Sequence, residues 1–255
     1  MKARPRALVL DFDGVICDST PECVVTAWNG WLSYTSNDGF VRKPADVPEP
    51  FREALGKGRV HVRTAGEYLI LIEAERAGRV IHSQSDYDKE FERYRNEIAA
   101  FAKLFFDARE RLRSESEEHW FGLHDVYGGI SDGLAVLSPR LEVFVVTGKD
   151  SRSVRMFFQR MGSPLSADHV YDKDAAHDKL SAIRAIAETS GRALSSITFL
   201  DDNVHHLLPP LEAGCHAVMA SWGYHTDEQI RVAQGRGVPI LQLSDWVDTI
   251  VRWNE

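Results

Sequence analysis

The stretch Leu8-Val9-Leu10-Asp11-Phe12-Asp13-Gly14-Val15 decides how this chain is read. Ala7–Leu10 is a short apolar run bounded by an acid, the pattern of a strand buried on both faces of a parallel sheet. In an extended chain alternate residues share a face, so Asp11 and Asp13 project together while Phe12 points oppositely. The two acids stand where a buried strand ends, and Gly14 permits a sharp exit. Open α/β sheets bind ligands at the carboxyl ends of their strands. Two neighbouring carboxylates repel one another unless a cation neutralises them or one holds a proton. Hard cations such as Mg2+ take oxygen ligands. Taken alone, this acid-x-acid-Gly also fits a calcium-loop fragment or a solvated turn, so its weight depends on the other strand ends.

Two further apolar runs end in the same manner. Val143–Val146 stops at Thr147, and Ile197–Leu200 stops at Asp201-Asp202. Thr147, Gly148 and Lys149 lead into a helix with Asp150 as its N-cap and Gly162 as its stop. A hydroxyl and free backbone N–H groups at such a helix start form a ready anion site. Lys179 opens an amphipathic helix over Lys179–Glu188, with Gly191 just beyond it; judged alone it reads first as a solvated surface lysine. Two acids closing a buried strand call for a cation or a proton. Thr226 with Gln229 makes a capping-box signature, and Val247, Ile250 and Val251 line one face of a terminal helix. Strands alternating with helices predict an α/β layer fold with right-handed crossovers.

From Pro21 to about His124 that alternation is missing. Ser85–Glu118 is almost free of Gly and Pro, and it spaces Tyr87, Phe91, Tyr94, Ile98, Phe101, Phe105 and Leu112 as a helix would. Aromatics at this spacing read as core before they read as a ligand site. An all-helical insertion within an α/β domain is the economical reading, dividing the chain into 1–20 with 125–255 and an inserted 21–124.

Composition narrows the functional classes. The 255 residues are 44 % hydrophobic and 27 % charged, an ordinary globular mix. Thirty Lys and Arg against 38 Asp and Glu give a net charge of −8, without the electrostatic footprint of a nucleic-acid binder. Cys17, Cys23 and Cys215 make neither an even disulfide framework nor a zinc-site spacing. No apolar run suits a signal peptide or a membrane span, so a cytoplasmic protein without membrane or nucleic-acid partners is expected. Oligomeric state is left open.

The ordered set acid-x-acid, Thr, Lys, acid-acid resembles the haloacid dehalogenase superfamily. The matching motifs are Asp11-Phe12-Asp13-Gly14-Val15, Val145-Val146-Thr147-Gly148, Lys179, and Phe199-Leu200-Asp201-Asp202. Ala213-Gly214-Cys215 through Ser221-Trp222-Gly223-Tyr224 is similar to the phosphoglycolate-phosphatase-like branch. The resemblance implies a Rossmann-like core, a parallel sheet sandwiched by helices, with an inserted helical cap of the C1 type. It implies a phosphatase acting on a small phosphorylated metabolite, with Asp11 as nucleophile forming an aspartyl-phosphate and Asp13 as general acid and base. Thr147 and Gly148 would hold phosphate oxygens, and Lys179 would neutralise Asp11 and the transferring group. Mg2+ would bind Asp11, the Asp13 backbone carbonyl and Asp202, with help from Asp201.

Two positions depart from the family pattern. The acid often found four residues after the principal one is His206 here, so His205-His206 could alter the metal's surroundings or bind a softer metal, but they read first as structural or hydrogen-bonding residues. The lysine, usually followed by proline, precedes Leu180, which leaves Lys173 as its rival. Asp13 argues against a true dehalogenase. A phosphomutase, or a non-catalytic phosphate-binding protein on the same fold, is the competing reading. The segment Arg42–Arg63 carries six Lys and Arg against three acids. It reads as a solvated surface or as a face meeting an anionic substrate. Arg63 and Thr64, opening a helix over Ala65–Ala77, are the expected substrate contacts there.

Overall fold

The computed structural model describes residues 7–163, 165–176 and 178–254. Eight strands are formed: β1 Ala7–Leu10, β2 Cys17–Asp18, β3 Asp125–Val126, β4 Glu142–Val146, β5 Val170–Tyr171, β6 Ile197–Asp201, β7 His216–Ala220 and β8 Ile240–Leu241. The chain separates into two compact units, one of residues up to Asp18 and from Val126, the other Ser19–Asp125.

The first unit is built on a six-stranded parallel sheet in the order β5-β4-β1-β6-β7-β8. Leu10 lies opposite Val145 on β4 and Leu200 on β6. The next residues, Asp11, Val146-Thr147 and Asp201, therefore emerge together at the carboxyl edge. The backbone N–H of Asp11 continues the ladder to the Leu200 carbonyl at 2.9 Å. Ala7–Leu10 are buried along their whole length, which is why that strand is continuously apolar rather than alternating.

The second unit is helical: α1 Thr20–Tyr34, α2 Glu49–Gly58, α3 Tyr68–Arg76, α4 Gln84–Tyr94, α5 Ile98–Glu115 and α6 Glu117–Phe121. Tyr87, Phe101, Phe105 and Leu112 are buried, and Phe91, Tyr94 and Ile98 pack against that core, so the aromatic series is structural. A Cβ at Gly30 of α1 would meet the Phe105 backbone of α5 at 3.3 Å, marking a close helix–helix approach. Arg109 of α5 grips Glu22 of α1 in a bidentate pair at 2.7 and 2.9 Å, and both are buried. Thr26 and the Trp120 indole also donate to Glu22, so the buried carboxylate is heavily solvated by protein donors.

The helix expected over Ala65–Ala77 is corrected at its first turn. Ala65–Glu67 is a 3-10 turn and α3 follows at Tyr68. The buried Glu67 folds back to accept from the Arg63 backbone at 3.1 Å and from the Thr64 hydroxyl at 3.2 Å.

Six helices complete the sheet unit: α7 Ile130–Leu137, α8 Ser151–Arg160, α9 Lys179–Ser190, α10 Val204–Glu212, α11 Asp227–Gly235 and α12 Trp246–Asn254. Ile183, Ile186 and Leu207 are buried in one cluster with Val9, Phe144 and Phe199, each contributing roughly 1.5–3 kcal/mol by leaving water. The N-caps at Asp150 and Thr226 form, the latter as the N-cap half of the expected box only. Asp150 accepts from Ser153 N–H at 2.9 Å, Thr226 from Gln229 N–H at 3.2 Å, and Gly191 ends α9 at φ 63°. No helix among the described residues is long and apolar enough to cross a membrane.

Candidate active site

The carboxyl edge of the three central strands gathers the expected groups of the sheet unit. Asp178 caps α9 by accepting from Ser181 N–H at 2.8 Å, which sets Lys179 at the first position of the helix. From there the ammonium donates to Asp11 Oδ1 at 2.6 Å and to the Val146 carbonyl at 2.5 Å. It also stands 3.5 Å from Asp201 Oδ2. Lys173 instead pairs with its neighbour Asp174.

The electrostatics follow from burial and pairing. Burial raises the Asp11 carboxyl above its ordinary range; Lys179 opposes that shift and Asp201 adds to it. Burial alone would lower Lys179, but Asp11 and Asp201 outweigh it and hold the ammonium above the usual lysine value. Asp201 is also pushed up by burial, yet His206 and Lys179 bring it down to about 2.

After β1 the chain turns tightly. Gly14 N–H donates to the Cys17 carbonyl and Ile16 N–H to that of Phe12, both at 2.9 Å, and Gly14 takes φ +89°. Phe12 is fully buried, edge-on to Phe157. Asp13 Oδ1 accepts from the Lys149 ammonium at 3.2 Å, and Lys149 itself is fully buried. The sequence reading used Lys149 only as part of a helix start and missed this partnership. The signal was a lysine held between a strand end and the N-cap Asp150, where a long side chain has little choice but to turn inward. Thr147 is buried, donates its N–H to the Tyr171 carbonyl at 3.0 Å and accepts from Lys149 N–H at 3.1 Å. Gly148 is exposed beside it.

The two acids after β6 have different surroundings. Asp201 is fully buried; its Oδ1 accepts from Asn203 N–H at 2.8 Å, and its Oδ2 has no hydrogen bond. His206 Nδ1 lies 3.3 Å from both of its oxygens. Asp202 Oδ2 accepts from Tyr224 N–H at 2.5 Å. It rests in a cradle where a Cβ on Gly14 would fall 1.9 Å from it and one on Gly223 2.4 Å. Tyr224 also donates its phenol to Asp18 at 2.6 Å. Burial, with Asp18 and Asp202 nearby, drives the Tyr127 phenol well above its ordinary value.

The expected metal set was Asp11, Asp13 and Asp202, assisted by Asp201. Among the described residues, ligand atoms of Asp11, Asp201 and His206 lie within 4.8 Å of one another. These residues fit a divalent cation. They offer two carboxylates and an imidazole, and the buried Asp201 Oδ2 without a hydrogen bond would be costly to leave unsatisfied.

Arg63 belongs to the helical unit, where its Nε donates to Glu67 Oε2 at 3.3 Å and its guanidinium lies over Phe91. Glu67 also accepts from Tyr87 at 2.6 Å. Within the basic segment, Arg42 pairs with Glu115 and Lys57 with Glu53.

The model of the haloacid dehalogenase-like hydrolase family matches residues 5–214. The chain belongs to that family. A protein similar to it is the phosphoglycolate phosphatase of Pseudomonas fluorescens (strain Pf0-1). The two are 26 % identical over 225 residues, covering 87 % of this chain and 71 % of that one. Among solved structures, a predicted phosphatase from Clostridium acetobutylicum aligns with TM-score 0.64 at 15 % identity, over 98 % of this chain and 100 % of the other. A predicted phosphoglycolate phosphatase from Haemophilus somnus 129PT aligns with TM-score 0.62 at 13 % identity, again over 98 % and 100 %. At these identities the structural likenesses establish the haloacid dehalogenase-like fold.

Proposed function

We propose that the protein is a Mg2+-dependent phosphomonoester hydrolase that acts on a small phosphorylated metabolite in the cytoplasm. The observation carrying this reading is the half-buried Lys179 ammonium bound to Asp11 Oδ1 and facing Asp201 at the edge of the sheet. That pairing holds a carboxylate oxygen in place beside a fixed positive charge, as an in-line attack on an anionic phosphoryl group requires. Asp11 attacks phosphorus, and the bond to the leaving oxygen breaks as Asp13 supplies a proton. Asp13 then takes a proton from water, and that water attacks the aspartyl-phosphate, returning Asp11 and releasing phosphate. Lys149 fixes the Asp13 carboxylate, and Thr147 with Gly148 holds phosphate oxygens at the start of α8. Asp11 and Asp201 would hold the cation, with Asp202 and the Asp13 carbonyl as further donors. The cation supplies neutralisation of the phosphoryl charge. In this reading the unit Ser19–Asp125 is the cap and supplies substrate selection.

The test is phosphate release from p-nitrophenyl phosphate and a panel of phosphorylated metabolites, with MgCl2 and with excess EDTA. Turnover that EDTA abolishes and MgCl2 restores is expected. No phosphate release from any ester would overturn the proposal, and dependence on a bisphosphate activator would turn it into a mutase.

A further inference from the structure

We infer that the His206 imidazole is a direct ligand of the cation at this site, so that the site favours first-row transition ions over Mg2+ more than an all-oxygen site would. This rests on the reading above only for what the cation does in turnover; the ligand set is argued from the structure.

The start of α10 decides where His206 points. Asn203 caps that helix by accepting from His205 N–H at 3.0 Å, and its own N–H is held by Asp201 Oδ1. That local turn returns the third residue of the helix over the strand end, and His206 Nδ1 arrives 3.3 Å from both Asp201 oxygens. A charge-assisted N–H to carboxylate bond is usually ~2.7–2.9 Å and directed at one oxygen. Two equal 3.3 Å separations are long for such a bond. They do suit neighbouring ligands on one ion, which lie about 3 Å apart when metal–ligand bonds are near 2.1 Å. Independently, Asp201 Oδ2 is buried within this group and has no hydrogen bond. Asp11 completes the set within 4.8 Å.

Charge supports the same assignment. Asp11, Asp201 and the Lys179 ammonium sum to −1, and a neutral imidazole adds a donor without adding charge. Imidazole nitrogen is a softer ligand than carboxylate and suits cobalt and nickel better than magnesium.

The experiment is calorimetric titration of MgCl2, MnCl2 and CoCl2 into the full-length wild type, H206D and H206A. It is paired with pulsed electron paramagnetic resonance of each Mn2+-loaded protein, and thermal melts establish that the variants are folded. The expected result is a Co2+ to Mg2+ affinity ratio that falls on the order of tenfold or more in both variants. A strong 14N coupling to Mn2+ should appear in the wild type and be lost in both. Unchanged ratios with no 14N coupling would overturn the inference and leave His206 as a hydrogen-bonding neighbour of Asp201. Imidazole ligation without phosphate release under any metal would instead overturn the phosphatase reading alone.

Discussion

Replacing Gly223 with alanine tests the cradle that holds Asp202. Gly223 is not among the positive-φ glycines, so the substitution demands no unusual backbone conformation, and its effect must come from space. The added Cβ would fall 2.3 Å from the Gly14 carbonyl oxygen and 2.4 Å from both Cβ and Oδ2 of Asp202. Since real Cβ contacts essentially never fall under 3.0 Å, the two loops must separate by about 0.7 Å, and a backbone oxygen cannot swing aside as a side chain would. Overpacking of this kind costs about 1–3 kcal/mol. The same displacement loosens the 2.5 Å bond from Tyr224 N–H to Asp202, and a shift approaching 1 Å at a catalytic edge lowers turnover by on the order of 100-fold. Urea unfolding followed by tryptophan fluorescence reads the first effect, and kcat for p-nitrophenyl phosphate the second. Gly235→Ala is the control. Nothing lies within 4 Å of its Cβ at the end of α11, so it should be neutral or stabilise by up to ~1 kcal/mol. The reasoning fails if Gly223→Ala unfolds within about 0.5 kcal/mol of wild type and turns over at the same rate.

Asp11→Asn should abolish phosphate release while the protein stays folded, because the amide cannot attack phosphorus; wild-type rates in that variant would remove Asp11 from the mechanism. Glu22→Gln should lower the unfolding free energy by roughly 3–5 kcal/mol, since the buried Arg109 guanidinium would lose the opposite charge of Glu22. The double variant Glu22→Met with Arg109→Met should recover much of the loss, and additive losses in urea melts would contradict this. Burial raises the Cys215 thiol to about 12. A folded pKa above the unfolded one gives stability that is present below about pH 9 and lost as pH rises toward 12. Cys215→Ala should therefore lose less stability than wild type between about pH 8 and pH 11, and parallel losses in the two would refute the shift.

How much was legible in advance follows from what each residue interacts with. β1, β4 and β6 were visible because they are buried on both faces and end in chemistry-bearing residues. β5 and β8 are two residues long, too short to carry any periodicity, and β7 is His-Ala-Val-Met-Ala, poor in β-branched residues. α10 contains Pro209 and Pro210, which argue against a helix interior until the tertiary context overrides them. Asp11, Asp13 and Lys179 could be read from order and spacing, since each sits at a strand end or helix start. The different surroundings of Asp201 and Asp202 could not, because they depend on Gly223 and Tyr224, some twenty residues later, and on how the first turn of α10 returns His206. Lys149 was missed for a similar reason: its partner, Asp13, is 136 residues away.

The place of β1 in the sheet bears on how the chain is made. Its two neighbours, β4 and β6, lie beyond the helical unit in sequence, so a ribosome delivers Ala7–Leu10 long before either partner exists. Asp201 follows Asp11 by 190 residues, which at ~5–20 residues per second is roughly 10–40 s of translation. Ser19–Asp125 is contiguous and can condense on its own meanwhile, whereas the nascent apolar strand must wait with both edges unpaired. The residues that make this strand the centre of the finished sheet also make it the segment most exposed to aggregation and to chaperone capture during synthesis.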